Sequence, residues 1–558
     1  MKITKVLLFL FFLTIPGFSV LAQQGQPAQK AEKVELLRAD ALEGGTFNGQ
    51  EIRKLLGNVA FKQGDTYMYC DSAYQYADKN AMEAFGNVRI NQGDSVTATS
   101  NTAYYDGDAR RAKLRGNVVL QDPRMTLTTP NLDYDLNRKT AIYSEGGTII
   151  DGTNNLTSQN GNYNTNTKMF HFTQNVVLTS PDYLITTNDL LYHTVSKIAY
   201  FNGPTTINSK DGKIYAEKGN YNTITKVSNF ERNAKIETDN YLLGGDKLFF
   251  NEKTKYGQAD GNVSMTSKKD NVVITGDHAK YWQNTGRSEV TGSPVLQNAM
   301  DNDTLFVAAD ILISVESKDT TKASMIYAYH DVKIYKTDLQ GKCDSLTYNQ
   351  MDSVIYMFTR PILWSDKNQL TAQHMQLFIR NQKLHTMKMF TDAFSVSEDT
   401  LRNYNQVKGR DMTAFFRDDK IRRVNVNGNS ESIYYALEGD TVVTGMNRAI
   451  CSDMMVNFGD SKLQSISFLD KPEARFIPPH ELTSDDTRLE GYQWLIAEKP
   501  TREMVLGPRL PKKVTPAKTS SAKAAPETKA TAEPTRKAQR QAKRAAKETQ
   551  KAAKGRKP

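Results

Sequence analysis

Cysteine is almost missing from this sequence. Three residues in 558, Cys70, Cys343 and Cys451, are too few for a disulfide scaffold. Long apolar runs are missing after the first two dozen residues, so no later stretch is long enough to cross a bilayer as a helix. A basic surface is missing from most of the chain as well. The net charge is +10, but residues 509–558 carry 16 Lys and Arg against 3 Glu. That stretch holds +13, which leaves −3 for the first 508 residues. The basic balance therefore describes a tail, and a basic nucleic-acid-binding domain loses its support. Catalytic signatures are missing too. The seven histidines (His171, His193, His278, His330, His374, His385 and His480) are scattered, none forms His-Glu-x-x-His, and no Gly-x-x-x-x-Gly-Lys-Ser/Thr loop occurs. What is present is 39% apolar residues, far too many for wholesale disorder and enough for two to four globular domains.

Residues 1–22 read as a secretory signal peptide. Lys2 and Lys5 form a short cationic start, residues 6–18 an apolar run broken by Pro16-Gly17, and Val20-Leu21-Ala22 a cleavage site before Gln23. The alternative is an uncleaved anchor, since residues 6–22 approach the lower limit for a span. No Cys precedes Cys70, so there is no acylation site of the bacterial lipoprotein kind. The expected mature chain is exported and soluble, with residues 23–48 as a linker.

From there a repeat takes over. A short pattern recurs about thirteen times: a small residue, a polar one, any residue, then Ala, Leu, Gly or Met, any residue, and an aromatic or aliphatic. Its polar position falls at Asp71, Asn101, Pro130, Gln159, Asn188, Glu217, Asp246 and Asp277, then more loosely at Asp310, Asp344, Gln373, Arg410 and Ser452. Early spacings are 29 to 31 residues and late ones reach 42. Between copies lies Gly-Asn-Val followed by alternating apolar residues, as in Gly57-Asn58-Val59, Gly86-Asn87-Val88, Gly116-Asn117-Val118 and Gly261-Asn262-Val263. A fixed period over some 400 residues means an array. Alternation at period two makes the element a strand, and Gly-Asn supplies the positive φ of tight connections. The period leaves room for roughly three strands of six to eight residues per copy. One copy cannot bury its apolar face alone, so copies stack edge to edge. The result is an all-β, elongated structure with one apolar inner surface. A closed parallel β-helix and a folded-over antiparallel sheet both satisfy this pattern. Inner positions ranging from Ala103 and Gly161 to Phe250 and Tyr281 suit the tapering interior of the second.

The alternation of Gly-Asn-Val with an Ala-Asp-x-Leu-x-Tyr-like strand, behind a signal peptide, resembles the OstA/LptA family of lipopolysaccharide-transport proteins. The resemblance covers residues 49–472 and is clearest over residues 55–298. It implies a β-jellyroll, a twisted V of antiparallel strands that shields lipid acyl chains and links membrane machineries end to end. It divides the chain into OstA-like repeats at 49–300, divergent OstA-like repeats at 301–480, an extension at 481–507 and a disordered Lys/Ala-rich tail at 508–558. The chain has many more repeats than a short periplasmic bridge protein and lacks the membrane-spanning barrel of the family's outer-membrane member, so its station on the pathway stays open.

On this reading the protein is a periplasmic, non-enzymatic carrier of lipopolysaccharide or a similar amphipathic lipid, with no cofactor and no metal. Hiding acyl methylenes is worth roughly 0.8 kcal/mol each. The candidate groove residues are Val59, Phe61, Val88, Ile90, Val118, Leu120, Val176, Leu178, Val263 and Met265; the same ten would equally pack a dry core. Open sheet edges offer strand addition to other jellyroll components, and the tail offers contact with an anionic envelope surface. No nucleic acid is expected. The rivals are a surface adhesin or scaffold built on a closed solenoid, and a polysaccharide-cleaving enzyme using Asp71, Asp246, Asp277, Asp310 and Asp344 from one repeat position. The bland reading of those carboxylates is that they cap turns. The three cysteines, each just before the polar position, are small buried residues several repeats apart, beyond disulfide reach.

Overall fold

The computed structural model describes residues 32–507, apart from positions 48, 77, 94–95, 211, 270, 301–302, 318, 320, 418–419, 440 and 460–461. The expected leader at 1–22 and tail at 508–558 lie outside the described residues. Those described form an all-β jellyroll: 36 strands in one sheet, antiparallel at each pairing. Most strands pair with the one before; Thr140–Tyr143 and Gly147–Asp151 instead both pair with Met125–Asp135, as two halves of one broken strand. The folded-over antiparallel sheet is thus the architecture present.

Each 29-residue copy contributes two strands, where the spacing predicted about three. Val96–Asp106 and Arg111–Asp122 have 11 and 12 residues and pair along almost their whole length. They reach that length because the Gly-Asn pairs sit inside strands as bulges. Leu56 pairs with Ser72 and Val59 with Cys70, so Gly57-Asn58 stands opposite Asp71 alone. Two residues against one bends the strand without ending its ladder. Both bulge residues take positive φ, 74° at Gly86 and 46° at Asn87. Glycine is required at Gly86 because a Cβ there would lie 2.3 Å from Asp71 Oδ2. Other corners hold the same backbone with costlier residues, such as Arg232-Asn233 and His330-Asp331.

The repeat's polar position completes the corner. Asn87 Nδ2 donates to Asp71 Oδ2 at 2.9 Å, Asn262 to Asp246 at 2.8 Å and Asn233 to Glu217 at 2.7 Å. The two sequence motifs are two halves of one device, each motif's side chain meeting the next strand's bulge. Because the strand bends there, its two ends belong to two leaves that face each other. Residues on both sides of the bend, Leu55 and Phe61 for example, point inward and are fully buried in one continuous apolar cluster. Burying a side chain of this size is worth roughly 1.5–3 kcal/mol.

The chain's end returns over its own surface. After Glu473–Ile477 pairs with Val442–Gly459, residues 478–507 run back across the outer face of one leaf, from Met446 to Phe306. Gln406 and Gln369 grip this strap in the same way. Gln406 Nε2 donates to Thr487 O at 2.8 Å and its Oε1 accepts from Leu489 N at 2.9 Å. Gln369 Nε2 donates to Gln493 O and its Oε1 accepts from Leu495 N, both at 2.7 Å. Lys342 pairs with Glu498 at 2.7 Å, and the helix Arg502–Leu506 seats Val505 and Leu506 against Phe306 and Val295.

Candidate functional site

The site is built at the strand ends farthest from the corners, where the two leaves meet or part. Four residues after the polar position stand Tyr105, Tyr134, Tyr163 and Tyr192 on one leaf. Each reaches across the interior to the free edge of the other leaf. Tyr105 OH donates to Gln63 Oε1 and Tyr134 OH to Gln92 Oε1. Tyr163 OH donates to Asp122 Oδ2 at 3.2 Å, and Tyr192 OH to Asp151 Oδ2 at 2.9 Å. Burial pushes the Tyr105 hydroxyl up to about 12; burial and the facing carboxylates raise Tyr163 and Tyr192 as well. These hydroxyls stay protonated and keep donating.

A second row of ties lies just outside the first. Arg110 pairs with Asp65 at 2.9 Å, Lys168 with Asp122 at 2.5 Å, Lys197 with Asp151, and Lys226 with Asp182 at 3.2 Å. Asp65 is the clearest case electrostatically: burial opposes its charge, but the Arg110 hydrogen bond and charge outweigh burial and hold its pKa below the usual carboxylate range. At the fifth copy the bridge is ring against ring, Tyr221 meeting Tyr183 edge-on at 4.9 Å. From Gln63 to Tyr221 the trough is closed along its mouth.

The closure lapses in the second half. The position four residues after the polar one becomes Phe250, then Ser314, Leu377, Ala414 and Val456, with Tyr281 and Tyr348 between them. The facing edge position, held earlier by Gln63, Gln92 and Asp122, becomes Asn298, Lys336, Ser365 and Ser397. A cavity of about 50 Å³ opens among Ile214, Met265, Phe250 and Tyr281. Beyond it lies one of about 1190 Å³, whose walls include Leu305, Ile326, Ile355, Leu377, Val407, Phe416, Ile421 and Phe458. Small-molecule pockets run to roughly 300–1,000 Å³, so this one is large. Its mouth carries polar and charged groups of both signs, Lys269, Asp338, Asn368 and Lys420 among them. Many wall residues, Ile326 and Ile355 included, pack against the core cluster yet are only partly buried, which leaves part of their apolar surface uncovered.

The ten candidate groove residues all face inward. Val59, Phe61, Val88, Ile90, Val118, Leu120, Val176 and Leu178 pack in the closed half at 0 or 1% exposure. Val263 joins the same cluster, and Met265 lines the small cavity. None of the ten lines the large one. The residues that do were available in the sequence only through the lost tyrosines and edge glutamines. The repeat-position carboxylates Asp71 and Asp246 accept from corner asparagines, as turn caps would. The cysteines are free and buried, and burial first, with the Asp344 charge after it, pushes the Cys343 thiol up to about 12. Among the described residues no group of three or more His, Cys, Asp or Glu is placed to hold a metal ion.

A family model described as OstA-like protein matches residues 31–188 and 184–246. Among solved structures the chain is similar to LptH, the LptA homologous periplasmic component of the conserved lipopolysaccharide transport device from Pseudomonas aeruginosa. The identity is 12% and the TM-score 0.18, over 21% of this chain and 79% of that one. At those values the likeness adds nothing to what the strands themselves show. None of the curated proteins matches the sequence.

Proposed function

We infer that this chain, which is OstA-like over residues 31–246, binds lipopolysaccharide in the periplasm of a two-membrane bacterium and keeps its acyl chains out of water during transport. The observation that carries this reading is the apolar cavity of about 1190 Å³ between the leaves of the second half. A methylene takes about the volume of a water, roughly 30 Å³, so the space suits on the order of 40 such groups. At about 0.8 kcal/mol per methylene, sheltering one chain of a dozen carbons is worth about 10 kcal/mol. The headgroup stays at the polar mouth, in water. Leu, Ile, Val, Met and Phe make up most of the cavity's lining, with Ser, Asn, Gln, Tyr and a few charged side chains among them.

Partners of the same β-rich kind are supported by the ends of the ladder. Ala41–Phe47 and Lys462–Leu469 each pair on one side only, leaving a free edge for strand addition. The experiment is displacement of an apolar fluorescent probe by purified lipopolysaccharide. Wild type should release the probe, and Ile326→Trp together with Ile355→Trp, which fill the cavity from the two strands flanking Leu339–Asn349, should weaken binding at least tenfold. Equal binding by wild type and the filled variant would defeat the reading.

A further inference from the structure

We propose that the OstA-like half is a closed shaft that conducts no lipid, and that a lipid of several acyl chains loads only into the second half. This rests on the lipid-binding reading above and says where along the ladder it applies. A repeat array invites the opposite expectation, a groove running through every copy with the cargo sliding between equivalent sites.

The interior of the first half has no room for that. Leu55, Leu114, Leu120, Leu132, Leu178 and Leu190 line it on both leaves, and each is 0% exposed. Near the middle three rings of one leaf stack in the interior, each 0% exposed. Tyr163 stacks on Phe170 with centroids 4.1 Å apart, and Phe170 on Phe172 at 4.8 Å, all nearly parallel. Passage of a chain past this stack would need those rings to leave their places together. The mouth is shut at the same level, by the Tyr163 hydrogen bond and the Lys168 ion pair, both on Asp122. Side entry is therefore closed along with end entry.

The interior cavities begin where the closure ends. Where the tyrosine hydroxyl is lost at Phe250, the small cavity appears. Where the edge pairing is replaced by Asn298, Lys336 and Ser365, the large cavity begins, and it extends to Leu463 and Ile466 on Lys462–Leu469, the end strand of that leaf. The cavity is thus blind toward the shaft and reaches the opposite end of the ladder. A lipid enters and leaves by the mouth or by that end. The OstA-like repeats serve as a rigid spacer that holds the loaded half at a distance from whatever binds the first strands.

The test uses the full chain with leucine replaced throughout by photo-leucine, whose side chain nearly keeps leucine's bulk. The labelled protein is loaded with purified lipopolysaccharide and irradiated, and lipid adducts are mapped by peptide mass spectrometry. Adducts should fall on Leu305, Leu339, Leu377 or Leu463 and be at least tenfold rarer on Leu55, Leu114, Leu120 and Leu178. Comparable yields on Leu114 or Leu178 would overturn the closed shaft and leave lipid binding standing. No adduct at any leucine would overturn both.

Discussion

The mouth seal makes the sharpest energetic prediction. Gln92 is buried at the edge of one leaf; its Oε1 accepts from Tyr134 OH and its Nε2 donates to Leu136 O at 3.0 Å. Gln92→Leu keeps most of the volume and removes both partners. It strands a hydroxyl and a carbonyl, each costing about 1–3 kcal/mol, so the expected loss is about 2–6 kcal/mol. Tyr134→Phe strands only the amide oxygen, at about 1–2 kcal/mol. The double variant replaces both ends of the contact by apolar groups and should cost less than the sum by about 1 kcal/mol. A ladder of 36 strands does not unfold in one step, so the readout is native-state hydrogen exchange. Opening free energies are followed in Ala81–Gln92 and Met125–Asp135, with Lys420–Glu438 as internal reference. Losses that are absent, or additive to within about 0.3 kcal/mol, would show that the hydroxyl–amide contact does not hold the leaves together.

Three further outcomes are expected. Gln406→Ala leaves Thr487 O and Leu489 N unpaired at the outer face, so the strap should open at a cost of about 2–4 kcal/mol and trypsin should cut at Arg488 well before any strand is cut. Gly86→Ala meets Asp71 Oδ2 at 2.3 Å on top of a left-handed backbone and should cost about 2–4 kcal/mol, whereas Gly93→Ala has open space and should cost about 1 kcal/mol; equal losses by thermal melting would remove the corner contact from the explanation. Asp65 has a folded pKa below its ordinary 3.8, so its pairing with Arg110 is fully present above about pH 4 and is lost as pH falls through the lower, folded value. Asp65→Asn should therefore flatten the acid limb of the stability profile and leave pH 7 to 9 parallel to wild type.

The corner was legible because it is local: two adjacent residues that tolerate positive φ, and a polar side chain at fixed spacing. Its place was not, since Gly86-Asn87 reads the same in a bulge as in a hairpin, and only the pairing register tells that the strand runs on. The anchor tyrosines were visible as an inner row, but the acceptor of Tyr105 OH lies 42 residues away, across the interior. Alternation within one strand carries no information about that. The cavity was hidden for a related reason. Ile326 and Ile355 obey the same alternation as Val118 and Leu120, and what separates an open interior from a filled one is the pair of edge positions that bridge it. In the second half the alternation itself fades. Phe394 and Val396 lie on the outer face, buried beside the strap, while Ala393 lies inside, so both faces read apolar. The strap has no repeat signature of its own, and nothing local in residues 478–507 says which surface it covers.

The most direct measurement is mass spectrometry of the lipid that accompanies the full chain when it is purified without detergent from the periplasm of a two-membrane bacterium. Lipopolysaccharide in equimolar amount, released by organic extraction, is the predicted result. A lipid-free chain, folded and with its strap in place, would contradict the claim that the open half of the trough exists to hold acyl chains.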